Sequence, residues 1–142
     1  MLTTIEEASK NFCTHQIRDE YTITDGVTDK ETLIAYIDID ASDGKKHRVY
    51  IASDEPFMQK IAKAFIEEEK SDEETLKDMT LETANLIIGS AKVIAEESDA
   101  DSYTINTPFF EKVGTFDFSY DDAKTIKLKD AEMTIAIKEL DV

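Results

Sequence analysis

Hydrophobic and polar residues alternate along the chain with two periods, one typical of helices and one typical of strands. Residues 4–17 carry apolar side chains at roughly helical spacing, and so does the segment that follows Pro56. Asp54 is of a helix-capping residue type, and proline suits the first helical turn. From Ser71, where the letters SDEE match a capping box, the helical pattern continues to about Glu97. The sequence therefore predicts three helices.

The other segments are rich in β-branched and aromatic residues, which is typical of strands. Residues 33–39 and 47–52 flank the turn sequence Ser42-Asp43-Gly44, so we predict a β-hairpin there. Shorter strands are predicted near residues 21–23, 103–105, 113–120 (where Phe116 and Phe118 alternate with polar neighbours), 125–128 and 133–137. Because a helical pair separates two runs of strands, we expect a two-layer α+β fold. In this fold, long helices cover one face of a mostly antiparallel sheet.

The composition fits one globular domain with a strongly charged surface. The chain has 142 residues, of which 41% are hydrophobic and 34% are charged. This length matches a single domain over residues 1–142, and no repeat or linker composition divides it. The single cysteine, Cys13, has no partner for an internal disulfide, and the two histidines lack the spacing of a zinc site. We expect no metal and no cofactor bound to this chain.

The charge balance excludes two classes of partner. The chain has 32 acidic and 16 basic residues, which gives a net charge of −16. Binding to nucleic acid or to anionic lipid needs clustered Lys and Arg, so we expect neither as a partner.

No stretch approaches the ~18 consecutive apolar residues of a membrane span. The first residues lack the basic start and apolar run of a secretory signal. We expect a cytoplasmic protein.

The helix predicted over residues 76–96 has two unlike faces. At about 100° per residue, Glu82 and Asn85 lie on the polar side, where their i,i+3 spacing makes them neighbours. Gly89 lies one turn beyond Asn85 and costs the helix about 1 kcal/mol relative to alanine. It either lets another surface approach the backbone or packs closely inside the protein. One broad arc that should face the sheet holds Leu76, Met79, Thr80, Thr83, Ala84, Ile87, Ile88, Ala91, Ile94 and Ala95.

Such Glu and Asn pairs are common on solvated helix faces, so spacing alone favours an ordinary exposed surface. Residues 81–92, however, have the letters LETANLIIGSAK and closely resemble the signature helix of the CheX and CheC chemotaxis phosphatases. That signature is a Glu and an Asn separated by two residues, then an apolar pair, a Gly and a small or polar residue. The resemblance extends over roughly residues 30–115 and includes the proline-bearing letters INTPFF at 105–110. One copy of the motif is similar to CheX, since CheC has two; Ser90 departs from an asparagine that is frequent in the family.

The resemblance implies hydrolysis of the phosphoryl group on the receiver aspartate of a CheY-like response regulator. Glu82 and Asn85 are then the expected catalytic residues, and Mg²⁺ is expected on the partner receiver domain. A carboxamide at Asn85 suits the orientation of the attacking water, because it accepts and donates hydrogen bonds without adding negative charge. Glu82 is expected to pair with the lysine at the receiver's phosphate site and so to dock the helix.

Two other functions fit the same residues. The face could recognise a phosphorylated receiver without hydrolysing it, or the chain could be a structural module like the flagellar switch proteins, which share this fold family. The resemblance also implies a homodimer in which the sheet edges of two chains meet. The C-terminal strands, such as residues 132–138, are candidates for that edge. The alternating polar residues and Lys138 there would equally suit the protection of a free edge.

Overall fold

A computed structural model describes residues 2–18, 20–67, 69–97 and 103–140 of the chain. These residues form a seven-stranded antiparallel sheet with three α-helices packed on one of its faces. The α+β class expected from the sequence is confirmed. The elements follow in the order α1 (Leu2–Phe12), a π-helical turn (Cys13–Ile17), β1 (Thr22–Asp25), β2 (Glu31–Ala41), β3 (Lys46–Ser53), α2 (Glu55–Ile66), α3 (Glu73–Glu97), β4 (Tyr103–Ile105), β5 (Phe109–Thr115), β6 (Asp122–Lys127) and β7 (Glu132–Leu140).

The sheet is built around the predicted hairpin of β2 and β3. Leu33 lies opposite Ser53 and Ile39 lies opposite His47, so the two strands pair over most of their length. The turn between them uses Gly44 at a φ of 89°, a conformation that glycine adopts without strain. The strand order is β1-β6-β7-β3-β2-β4. Strand β5 also pairs with β2, on the side where β4 pairs with it.

Strand β7 lies inside the sheet, between β3 and β6. Its residues pair with both neighbours, as Ile135 does with Ile51 on one side and with Lys124 on the other. The prediction that residues 132–138 form a free edge for dimerisation is therefore wrong. Strand order depends on long-range pairing, which the local pattern of the sequence does not contain. The edges that the described residues leave free are β1 at one end and β4 with β5 at the other.

Helix α2 begins where the sequence predicts, whereas α3 begins later than predicted. The Asp54 carboxylate accepts a hydrogen bond from the Phe57 N–H at 2.9 Å, and Pro56 stands in the first turn of α2. Helix α3 begins at Glu73, two residues later than predicted, and the Asp72 carboxylate accepts from the Thr75 N–H at 2.8 Å. Among the described residues, no helix has both the length and the apolar character needed to cross a bilayer.

The main core lies between the helices and the sheet, and α3 contributes the predicted face to it. Of the ten residues assigned to that face, Ile94 is half-buried. The other nine are buried: Leu76, Met79, Thr80, Thr83, Ala84, Ile87, Ile88, Ala91 and Ala95. The amphipathic pattern therefore predicted correctly which side of α3 meets the sheet.

A second apolar cluster covers part of the opposite face of the sheet. Strand β5 ends at Thr115, so residues 116–120 do not form the strand predicted from their alternation. Their aromatic rings instead pack onto the sheet, with Phe116 and Phe118 at 5.2 and 5.0 Å from the ring of Tyr50. Phe116 is buried and Phe118 is half-buried, whereas Asp117 and Ser119 are exposed, so this segment buries alternate side chains without forming a strand, which explains why the pattern resembled that of a strand.

Candidate functional site

Helix α3 presents Glu82 and Asn85 on its exposed side. An i,i+3 spacing places their Cβ atoms about 5–6 Å apart. Neither side chain makes a hydrogen bond or an ion pair with any part of the chain that the structure describes. Both polar groups are therefore available to a molecule outside the chain.

The buried side of the same helix turn is tightly held. Ala84 and Ile88 are fully buried, one residue before Asn85 and three after it. The Thr83 hydroxyl donates to the Met79 carbonyl at 2.7 Å and lies against the sulfur of Met58 on α2. Because rigid elements hold side chains more precisely than loops do, this packing fixes the direction in which Asn85 points.

Tyr103 on β4 connects α3 to the sheet edge. Its hydroxyl donates a hydrogen bond to the Ile88 carbonyl at 3.2 Å, one turn from Asn85. Burial raises the pKa of the Tyr103 hydroxyl well above its ordinary value, so the group remains a hydrogen-bond donor. This contact was not predicted, since nothing in the local sequence pattern links a strand residue to a helix carbonyl.

A groove of about 320 Å³ runs beside the exposed face of α3. Leu86 and Phe65 line it and are 38% and 37% exposed, and the ring of Phe65 stacks on Phe12 at 5.8 Å. Sequence reasoning missed the groove because it depends on how α1 and α2 pack against α3. The complete lining is Ala8, Asn11, Phe12, His15, Gln16, Phe65, Leu86, Ile87 and Ser90.

Gly89 continues the exposed face one turn beyond Asn85. Outside its chain neighbours and its own helix backbone, a Cβ atom added there would meet no described atom within 4 Å, so close internal packing does not explain this glycine. Ser90 is exposed and lies on the groove side. Within the described ranges, no three His, Cys, Asp or Glu side chains are grouped so that they could hold a metal ion.

These features define a class of domain: a helix-covered antiparallel sheet in which the longest described helix presents a carboxylate and a carboxamide on a firmly supported face, both without a partner among the described residues. Sequence comparison gives the family. The model of the family described as "Chemotaxis phosphatase CheX" matches residues 35–124, which is more than half of the chain. The chain belongs to the CheX family. No curated protein matches the sequence.

Solved structures share the fold at low sequence identity. A chemotactic CheC-like protein from Shewanella oneidensis has a TM-score of 0.75 and 13% identity, and covers 96% of both chains. CheX from Vibrio vulnificus has a TM-score of 0.73 and 17% identity, over 95% of this chain and 97% of that one. The CheX–CheY–BeF3–Mg²⁺ complex from Borrelia burgdorferi has a TM-score of 0.68 and 16% identity, over 97% of each chain. The predicted CheX-like family and fold are thus confirmed.

Proposed function

We propose that this protein hydrolyses the aspartyl phosphate of a CheY-like response regulator. The observation that carries the proposal is the pair Glu82 and Asn85, exposed and unpaired within the described residues, on the signature helix of a CheX-family chain. A structurally similar CheX from Borrelia burgdorferi is known in complex with CheY. The whole chain, residues 1–142, is proposed to act as one phosphatase domain in the cytoplasm.

Asn85 is proposed to orient the attacking water. An acyl phosphate is already activated, so catalysis consists mainly of placing a water in line with the phosphorus. The Asn85 carbonyl oxygen can accept a hydrogen bond from that water while its NH₂ group donates one. The amide carries no charge, so the phosphoryl oxygens do not repel it as they would repel a carboxylate.

Glu82 is proposed to dock the helix on the receiver. Its carboxylate would pair with the lysine at the receiver's phosphate site, one helical step from Asn85, and so set the position of the amide. The Mg²⁺ that neutralises the phosphoryl group is proposed to belong to the receiver, with no cofactor on this chain.

Loss of ³²P from a labelled CheY-like receiver, followed with and without this protein, tests the proposal. Asn85→Ala should keep the fold and much of the binding but lose about 100-fold in rate, equivalent to ~2.7 kcal/mol. Normal turnover by Asn85→Ala would refute its role as the water-orienting residue. Glu82→Ala should weaken both docking and rate, and a variant that changes neither would refute the lysine contact.

Two alternative functions predict different results. A non-catalytic adaptor would bind the phosphorylated receiver and leave its rate of phosphate loss unchanged. A structural module like those of the flagellar switch would join a large assembly, whereas a phosphatase should elute from a sizing column as a small, finite species.

A homodimer remains part of the proposal, as the family resemblance implies. Because β7 is internal, the pairing would have to use β1 or the side formed by β4 and β5. Sedimentation equilibrium should give twice the mass of one chain. A mass of one chain at micromolar concentration would contradict the dimer without affecting the phosphatase assignment.

A further inference from the structure

Gly89 lacks a side chain for a reason that the packing of the described residues does not supply. Gly89 does not have a positive φ, unlike Gly26 and Gly44, so its backbone conformation does not require glycine. An added Cβ would meet no described atom within 4 Å other than its chain neighbours and its own helix backbone. Alanine would therefore fit at this position and would favour the helix. The missing side chain leaves space on the outer surface of α3.

Two large apolar side chains flank this space on the same helix face. Leu86, three residues before Gly89, is 38% exposed, and Val93, four residues after it, is 50% exposed. At about 100° per residue, these three positions and the Glu82–Asn85 pair all fall within an arc of about 100°. We term Leu86, Gly89 and Val93 the apolar strip. The strip and the pair form one continuous face about 16 Å long, from the helical rise per residue.

We propose that the apolar strip is the second half of the receiver-binding face. In this arrangement a backbone segment of the phosphorylated CheY-like receiver lies directly against α3 at Gly89, between Leu86 and Val93. The inference rests on the proposed function and adds to it the surface that sets the distance between the two proteins.

The short reach of asparagine supports this arrangement. The carboxamide of Asn85 is only two bonds from its Cα, so the receiver must come close to the helix backbone before the amide can hold a water at the phosphorus. A side chain one turn away, at position 89, would hold the receiver off. The apolar contacts of Leu86 and Val93 would also offset repulsion between an acidic receiver and a chain of net charge −16.

The test measures two properties of each variant. Calorimetry gives its affinity for a CheY receiver activated with BeF3⁻ and Mg²⁺, and thermal denaturation gives its melting temperature. Gly89→Leu should weaken binding by at least about tenfold, equivalent to about 1.4 kcal/mol. Gly89→Ala should weaken binding less, yet raise the melting temperature by roughly 4 °C, because alanine favours the helix. Gly114→Ala is the matched control: its φ is also outside the left-handed region, and the added Cβ would contact only the Lys112 side chain, at 3.8 Å. Its receiver binding should equal that of the wild type.

The outcomes separate this inference from the proposed function. Wild-type binding by Gly89→Leu, in a protein whose wild type hydrolyses the receiver phosphate, would overturn the inference alone. A wild type that neither binds nor hydrolyses would overturn both. A change in the self-association of the chain without a change in receiver binding would make the strip a contact between copies, which also overturns the inference.

A second variant protects the test against misfolding of Gly89→Leu. Val93→Thr replaces an exposed methyl by a hydroxyl with almost no change in shape. It should weaken receiver binding by about threefold, from the loss of roughly one buried methyl group. Unchanged binding by a folded Val93→Thr would count against the apolar strip.

Discussion

Replacing Asp54 should destabilise the fold more than replacing any ordinary surface acid. Asp54 is buried, with a side chain that is 4% exposed, and its carboxylate contacts three groups. Oδ1 accepts from the Phe57 N–H at 2.9 Å, and Oδ2 accepts from the Glu132 N–H at 2.9 Å and from Lys30 Nζ at 3.3 Å. One carboxylate thus joins the start of α2 to the start of β7.

The loss of stability expected for Asp54→Ala is estimated from these contacts. Loss of the helix cap costs about 1 kcal/mol. Removing the acceptor of the partly buried Glu132 N–H costs about 1–3 kcal/mol. The ion pair with Lys30 adds little, because the Lys30 side chain is 42% exposed. We therefore expect Asp54→Ala to lower the free energy of unfolding by about 2–4 kcal/mol.

Urea denaturation followed by far-UV circular dichroism measures this loss. Asp54→Asn keeps an acceptor for the Phe57 N–H and should fall between the wild type and Asp54→Ala. Asp72→Ala is the control, because Asp72 also caps a helix but is exposed, and its loss should be smaller. An Asp54→Ala variant within about 0.5 kcal/mol of the wild type, the range of ordinary surface changes, would refute the reasoning.

Three further predictions follow from charge and hydrogen bonding. Tyr103→Phe should lose about 1 kcal/mol in urea denaturation through its bond to Ile88, and wild-type stability would argue against that bond. Association with an acidic receiver should become faster as salt is added, because the chain carries −16; stopped-flow rates that fall with salt would instead indicate a basic patch on the receiver. Hydrogen bonding from the Glu139 N–H holds the pKa of Asp121 below its ordinary 3.8, so its stabilisation is present above that pH and is lost as the pH falls through the folded-state value. Asp121→Asn should therefore flatten the acid side of a melting-temperature profile, and an unchanged profile would contradict this.

The sequence was sufficient to predict those features of the fold that depend on residues within a few positions of one another. Asp54 and Pro56 identify the start of α2 because capping and a fixed φ act within one turn. The exposure of Asn85 follows from the apolar arc on the opposite side of α3, since burial of that arc leaves little freedom to rotate the helix.

Features that depend on contacts between distant parts of the chain could not be predicted from the sequence. The internal position of β7, the contact between Tyr103 and Ile88, and the groove beside Leu86 each require elements far apart in sequence to meet. Phe116 and Phe118 show the related error, in which an alternating pattern correctly indicated burial but not the backbone that provides it. The roles of Glu82 and Asn85 stay predictions until turnover is measured.

The internal position of β7 constrains how the protein is made. Ser53 pairs with Met133, 80 residues later, so a growing chain can add β7 to the middle of the sheet only after both neighbouring strands have been made. Until residues 132–140 leave the ribosome, β3 and β6 both have an unpaired edge. Such edges pair readily with other chains, so overproduction that outpaces folding should trap the protein as aggregates of nascent chains. Slower synthesis at lower temperature should raise the yield of folded protein.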